Sequence, residues 1–84
     1  MSDFNPEEIT VNKTVDARGS ACPGPLLEAK KGIGGVPVNG VIEILSSDAS
    51  TRNDLPVWAN KVGHEFLGTA TADGFDRIFI RRKK

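Results

Sequence analysis

The sequence predicts an α+β fold: a two-layer α/β sandwich in the order β-α-β-α-β-β, with two helices on one face of a mixed four-stranded sheet. Three observations predict it. Two strand-like runs are each followed by a stretch whose apolar residues recur at helical spacing. The last third holds two more strand-like runs joined by Asp73-Gly74, a strong signal for a two-residue hairpin turn. The length, 84 residues, makes a single domain, and a domain this short buries only roughly 60% of its unfolded surface. Its elements must therefore share one modest core, which a helical layer on one sheet face provides.

Residues 1–10 read as a flexible lead-in and residues 11–84 as the domain. Thr10 to Ala17 is rich in Val and Thr and reads as the first strand. Arg18-Gly19-Ser20-Ala21 follows as a loop. Pro25 suits the first position of a helix, where its fixed φ helps and its missing N–H is not needed. Leu26, Ala29 and Ile33 fall on one face of that helix with Leu27 beside them, and Gly34-Gly35 ends it. Val36 to Gly40 is a connector, and Val41 to Leu45 a compact apolar strand. Ser46 to Ser50 is a polar loop. The second helix starts between Ser50 and Pro56, with Ser50 or Asp54 as its cap. Leu55, Trp58, Ala59 and Val62 mark its buried stripe, and Gly63 follows as the residue that ends it. Glu65 to Ala72 and Phe75 to Arg82 form the hairpin, with Ile78 and Ile80 facing the helices.

Composition excludes several classes. Apolar residues make up 38% and charged residues 26%, which suits a soluble globular domain. Nothing approaches the ~18 consecutive apolar residues of a membrane helix. The acidic start, with Asp3, Glu7 and Glu8, lacks the apolar run of a signal peptide, so the cytoplasm is the expected location. A single Cys and a single His rule out an internal disulfide and a Cys-x-x-Cys pair. They also speak against a structural zinc site, and neither a metal nor a cofactor is expected. The formal net charge is zero, but the last four residues are Arg81-Arg82-Lys83-Lys84. That basic tail reads as a solvated, frayed terminus, or as a contact for nucleic acid or an acidic partner.

Cys22 is the one candidate nucleophile. It stands just ahead of the first helix, in Cys22-Pro23-Gly24-Pro25. A helix start offers unsatisfied N–H groups and a positive partial charge, and both favour thiolate over thiol. Pro23 and Pro25 restrict the residues before them, which biases Cys22 to an extended backbone. Gly24 leaves room for a partner to approach. Arg18, Lys30 and Lys31 add positive potential, the two lysines more weakly because they lie further along the helix. The same cysteine also reads as a small buried apolar residue, and the residues alone leave both readings open. His64, the only histidine, reads as a polar residue at the end of the second helix, where a positive imidazole is mildly favoured. With no neighbouring base and no resolving thiol, one role needs nothing else in the chain. The thiolate accepts a sulfane sulfur, holds it as a persulfide and passes it on.

These residues resemble the TusA or SirA-like sulfur carrier family. Its pattern Asp-x-Arg-Gly-Leu-x-Cys-Pro-x-Pro is met by Asp16-Ala17-Arg18-Gly19-Ser20-Ala21-Cys22-Pro23-Gly24-Pro25. Lys30 and Lys31 match a lysine in the helix that follows. A second block appears as Asp48, Asp54-Leu55-Pro56-Val57-Trp58 and Gly63-His64, and a closing one as Phe79-Ile80-Arg81-Arg82-Lys83. The resemblance spans about residues 13–84. It implies the two-layer fold above, a persulfide on Cys22, and handover between sulfur-donor and sulfur-acceptor proteins such as rhodanese-like sulfurtransferases. Family members serve tRNA thiolation, cofactor assembly and dissimilatory sulfur oxidation, and the form of the helix start here looks most like members from sulfur oxidisers. Ser20 stands where the family has Leu, which implies a looser loop. Two other functions compete. One is a regulatory or nucleic-acid-binding module using the basic tail, which zero net charge and the lack of flanking aromatics disfavour. The other is a structural subunit with an inert cysteine.

Overall fold

The computed structural model describes residues 9–19, 24–47, 51–72 and 74–84. Its elements are β1 (Lys13–Asp16), α1 (Gly24–Ile33), β2 (Val41–Ser46), α2 (Thr51–Val62), β3 (Glu65–Ala72) and β4 (Phe75–Arg81). The strands form one sheet in the order β1-β2-β4-β3. β1 pairs parallel with β2, and β4 pairs antiparallel with both β2 and β3. β3 thus runs parallel to β2, with β4 inserted between them. Each helix is the crossover between two parallel strands, and both cover the same sheet face. This is the fold expected from the sequence.

Alternation along the strands sorts the two faces. Ile42 and Ile44 of β2 and Ile78 and Ile80 of β4 point to the helices and are fully buried. Ala29 and Ile33 of α1 meet them, as do Leu55 and Ala59 of α2, with Val15, Leu26, Trp58 and Phe66 packed around. Val41, Glu43 and Phe79 alternate to the other face and are also buried. Gly32 lets α1 lie close on the sheet: a Cβ there would stand 2.8 Å from Val15 Cγ2 and 3.0 Å from Ile42 Cδ1.

Both helix ends follow local rules. After Ile33 the N–H groups of Gly35 and Val36 turn back to Gly32 C=O and Ile33 C=O, at 2.9 and 3.1 Å. At the end of α2, Gly63 adopts φ +88°, which a side chain would resist. The Gly63 N–H donates to Asn60 C=O and the His64 N–H to Ala59 C=O, the paired bonds of a Schellman motif.

Four details differ from the sequence expectation. β1 is four residues long, not eight. Before it, Asn12 uses its side chain as well as its backbone: Val41 N–H donates to Asn12 Oδ1 at 2.9 Å while Asn12 N–H donates to Val41 C=O at 2.8 Å. Such side-chain bonding competes with ladder extension. The buried stripe of α2 is a single i, i+4 row of Thr51, Leu55 and Ala59, so Trp58 sits on the flank and Val62 is exposed. Asp54 lies inside the first turn of α2 rather than capping it, and the alternative cap, Ser50, lies outside the described residues.

The basic stretch is not frayed. Arg82 continues the β2–β4 ladder past its end, with Arg82 N–H to Gly40 C=O at 2.8 Å and Asn39 N–H to Arg82 C=O at 2.6 Å. Its guanidinium donates to Val36 C=O and Lys84 C=O, at 2.6 and 2.7 Å.

Leu55→Ala is expected to cost about 2–5 kcal/mol, because it empties the centre of the α2 stripe. Val62→Ala should stay within about 0.5 kcal/mol. Denaturant titration of both variants checks this, and equal losses would mean that the buried face of α2 is misassigned.

Candidate functional site

Both helices begin at the same end of the sheet, the end where β1 and β2 finish. The chain leaves β1 at Asp16 and passes Ala17, whose N–H donates to Leu45 C=O at 2.8 Å. It continues through Arg18 and Gly19 and is described again from Gly24, the first residue of α1. Cys22 and Pro23, singled out from the sequence, lie outside the described residues. Gly24 and Pro25 open α1.

The exit from β1 is held firmly. Arg18 grips Asp16 with two parallel bonds, Nε to Oδ1 at 2.9 Å and Nη2 to Oδ2 at 2.8 Å. Its backbone N–H adds a third, to Asp16 Oδ1 at 3.1 Å. The guanidinium also lies 4.8 Å from the centre of the Phe75 ring. Gly19, at φ +85°, donates its N–H to Ser47 Oγ at 3.1 Å. The hydrogen bonds from Arg18 hold the Asp16 carboxyl down at about 2, and Asp16 raises the guanidinium in return. Arg18 is therefore a neutralised clamp. The part played by Ser47 and Phe75 carried no sequence signal, because each reaches Arg18-Gly19 from a distant segment. Asp16 and Arg18 could be paired from their two-residue spacing alone.

The start of α2 is tied down in the same region. Ser46 Oγ donates to Thr51 Oγ1 at 2.9 Å in a buried contact. Arg52 Nε donates to Asp76 Oδ2 at 2.8 Å, and Thr71 Oγ1 approaches Asp76 Oδ1 at 3.4 Å. Glu43 accepts from Thr14 Oγ1 at 3.1 Å and from Arg77 Nε, and Arg77 covers the Phe79 ring at 5.3 Å.

Lys30 and Lys31 are not part of this end. They occupy the last turn of α1, about 9 Å or more beyond Gly24 along the axis. Lys31 pairs loosely with Glu28 at 3.9 Å. His64 also stands at the far end, where α2 finishes. Its Nδ1 accepts the Lys83 N–H at 3.1 Å, and its ring meets the edge of Trp58 with centres 5.8 Å apart. The sequence favoured a positive imidazole there. The structure reverses this: burial first, then the charges of Arg82 and Lys84, push its pKa below 6.5.

Among the described residues no helix is long and apolar enough to cross a membrane. Nor do three or more His, Cys, Asp or Glu side chains among them gather as a metal ion would need. An open groove of about 380 Å³ runs between β1 and α1, lined by Lys13, Asp16, Glu28 and Lys31 among others.

The architecture defines a class. A SirA-like protein from Desulfitobacterium hafniense has a crystal structure similar to this one, with a TM-score of 0.74 and 26% identity over 86% of this chain and 99% of that one. The chain belongs to the sulfurtransferase TusA family, whose model matches residues 13–82. A protein of Archaeoglobus fulgidus, assigned as a sulfur carrier protein by name only, is 46% identical over 70 residues, covering 83% of this chain and 96% of its own. The sulfur carrier protein TusA of Pseudomonas syringae is 31% identical over 77 residues, covering 92% of both chains.

The His64 shift has a measurable consequence. Folding lowers the imidazole's pKa, so as the pH drops through its ordinary 6.5 the unfolded chain takes up the proton more readily than the folded protein does. Stability from this group is complete above that value and falls as the pH drops below it. His64→Asn, whose oxygen can accept the Lys83 N–H, should lose less stability than the parent between about pH 7.5 and about pH 5.5. Denaturation midpoints at the two pH values check this, and an unchanged slope would remove His64 as the cause.

Proposed function

We propose that this protein carries sulfur as a persulfide on Cys22 and passes it between partner proteins as a sulfurtransferase. The observation that supports this most is the position of the only thiol. It stands two residues ahead of Gly24, where α1 begins, in a chain that belongs to the TusA family.

The chemistry needs no change of oxidation state overall. The Cys22 thiolate attacks the outer sulfur of a donor persulfide, and the donor's S–S bond breaks. The donor leaves as a thiolate, and Cys22 becomes Cys–S–S⁻ or Cys–S–SH. An acceptor thiolate then attacks the outer sulfur, and Cys22 leaves as a thiolate in its turn. A thiol at a helix start is a good leaving group as well as a good nucleophile, because the helix N-terminus stabilises its anion.

In this reading Pro23, Gly24 and Pro25 shape the approach to the sulfur. Arg18 holds the preceding loop rather than charging the thiol, because Asp16 already neutralises it. Lys30 and Lys31 act on partners and not on the sulfur. The partners are rhodanese-like or related donors and acceptors, and the work is done in the cytoplasm. Dissimilatory sulfur oxidation is the favoured pathway, ahead of tRNA thiolation or cofactor assembly. The alternative, a regulatory or nucleic-acid-binding module using the basic C-terminal tail, has less support, because the exposed large apolar side chains among the described residues are Leu and Val and offer no ring for a base to stack on.

Given a mobilised sulfane-sulfur donor, the protein should gain one sulfur atom by intact mass, and a thiol reductant should remove it. Cys22→Ser should remain folded and gain none. Equal loading of the serine variant, or no loading of the folded parent by any mobilised donor, would overturn the reading.

A further inference from the structure

We propose that the end of the fold where both helices finish is a cationic docking face for an acidic protein surface, set apart from the end where the described Gly19 and Gly24 flank Cys22 in the sequence. The inference goes beyond the sulfur-carrier reading and relies on it only for what the docked protein carries.

The argument begins with where the 11 basic residues go. Three of them, Arg18, Arg52 and Arg77, are each bound to a carboxylate, on Asp16, Asp76 and Glu43. The other eight collect at the opposite end. Lys13 starts β1, and its Nζ lies 3.2 Å from where a Gly35 Cβ would stand, just past α1. Lys30 and Lys31 fill the last turn of α1, and Lys61 the last turn of α2. Arg81 ends β4, and Arg82, Lys83 and Lys84 follow it. Two described carboxylates answer them. Glu65 meets Arg81 at 3.4 Å and Lys83 at 4.0 Å, and Glu28 reaches Lys31. Among the described residues, cations thus outnumber carboxylates at this end of the fold.

The cations are presented on a rigid base. The backbone of Arg82 is bonded to Asn39 and Gly40, and that of Lys83 to His64. The Lys84 side chain lies on Gly63, 2.7 Å from where a Cβ would stand. A preorganised face loses less freedom on binding than a frayed tail would. Protein suits it better than RNA. Trp58 and Phe66 are partly buried in the core, and the exposed large apolar side chains among the described residues are Leu and Val. Stacking on single-stranded bases needs exposed rings. The 12 residues of α2 separate the two ends by about 18 Å. That exceeds the ~10 Å over which salt screens surface charge, so one partner can hold this face while another meets the thiol.

Poly-L-glutamate is the probe. The parent protein should bind it at low salt and release it as salt rises. Lys61→Glu with Lys83→Glu, both on exposed side chains, should weaken binding roughly tenfold. Sulfur uptake from a small-molecule donor should stay at the parent rate. Circular dichroism checks folding, and Lys61→Gln with Lys84→Gln repeats the test more mildly. The probe does not involve Cys22, so Cys22→Ser should bind it as the parent does, which separates this result from the fate of the persulfide reading. The proposal is overturned if the parent does not bind, if the variants bind as the parent does, if polyuridylate binds more tightly than polyglutamate, or if the variants lose uptake from the small donor.

Discussion

Both helices rest on the same four isoleucines, and that shared layer governs the rest of the molecule. Ile42 stands opposite Ile80 and Ile44 opposite Ile78 across the β2–β4 ladder, so the four form one continuous apolar plate. Burying them contributes roughly 6–12 kcal/mol at about 1.5–3 kcal/mol each. That is comparable with the whole net stability of a small domain before entropy opposes it. Ala29, Gly32 and Ala59 keep the helices close to the plate, because larger residues there would meet Val15 and Ile42 or hold the helices away. A layer this thin has no spare depth, which is why chemistry must happen at an edge.

The direction of β2 decides which edge. Both crossovers leave the sheet where β1 and β2 end, so both helix starts lie together and both helix ends lie together. Gly19 and Gly24, which flank Cys22 in the sequence, lie at the first of these edges. There the clamps are arginine–carboxylate pairs. The exposed Asp16–Arg18 pair matters more for geometry than for stability, since surface pairs contribute little. Asp76 differs. It is buried, and removing Arg52 would leave an uncompensated carboxylate in the protein interior.

At the second edge the helix dipoles turn their negative ends outward, and lysines in both last turns complement them. Burial first, and then the charges of Arg82 and Lys84, lower the His64 pKa, against the preference of an isolated helix end. Here tertiary packing overrides a local rule.

The sequence by itself determined the elements and their order, because the signals are local. Helical periodicity, Pro25, Gly63 and Asp73-Gly74 act within a few residues, and the helix and hairpin boundaries followed them closely. It also singled out Cys22, since the absence of any second thiol can be read without a fold. Tertiary structure decided which residues in each stripe are truly covered, as Val62 shows by lying beside the contact row rather than in it. It decided that Arg82 is bonded to the connector instead of fraying, because it finds carbonyls 42 to 46 residues earlier in the chain. It placed Ser47 and Phe75 beside Arg18, and Lys30 and Lys31 at the end away from Gly24. Each of these depends on segments distant in sequence meeting in space. Pattern and spacing do not encode such meetings, and only the closed sheet brings them about.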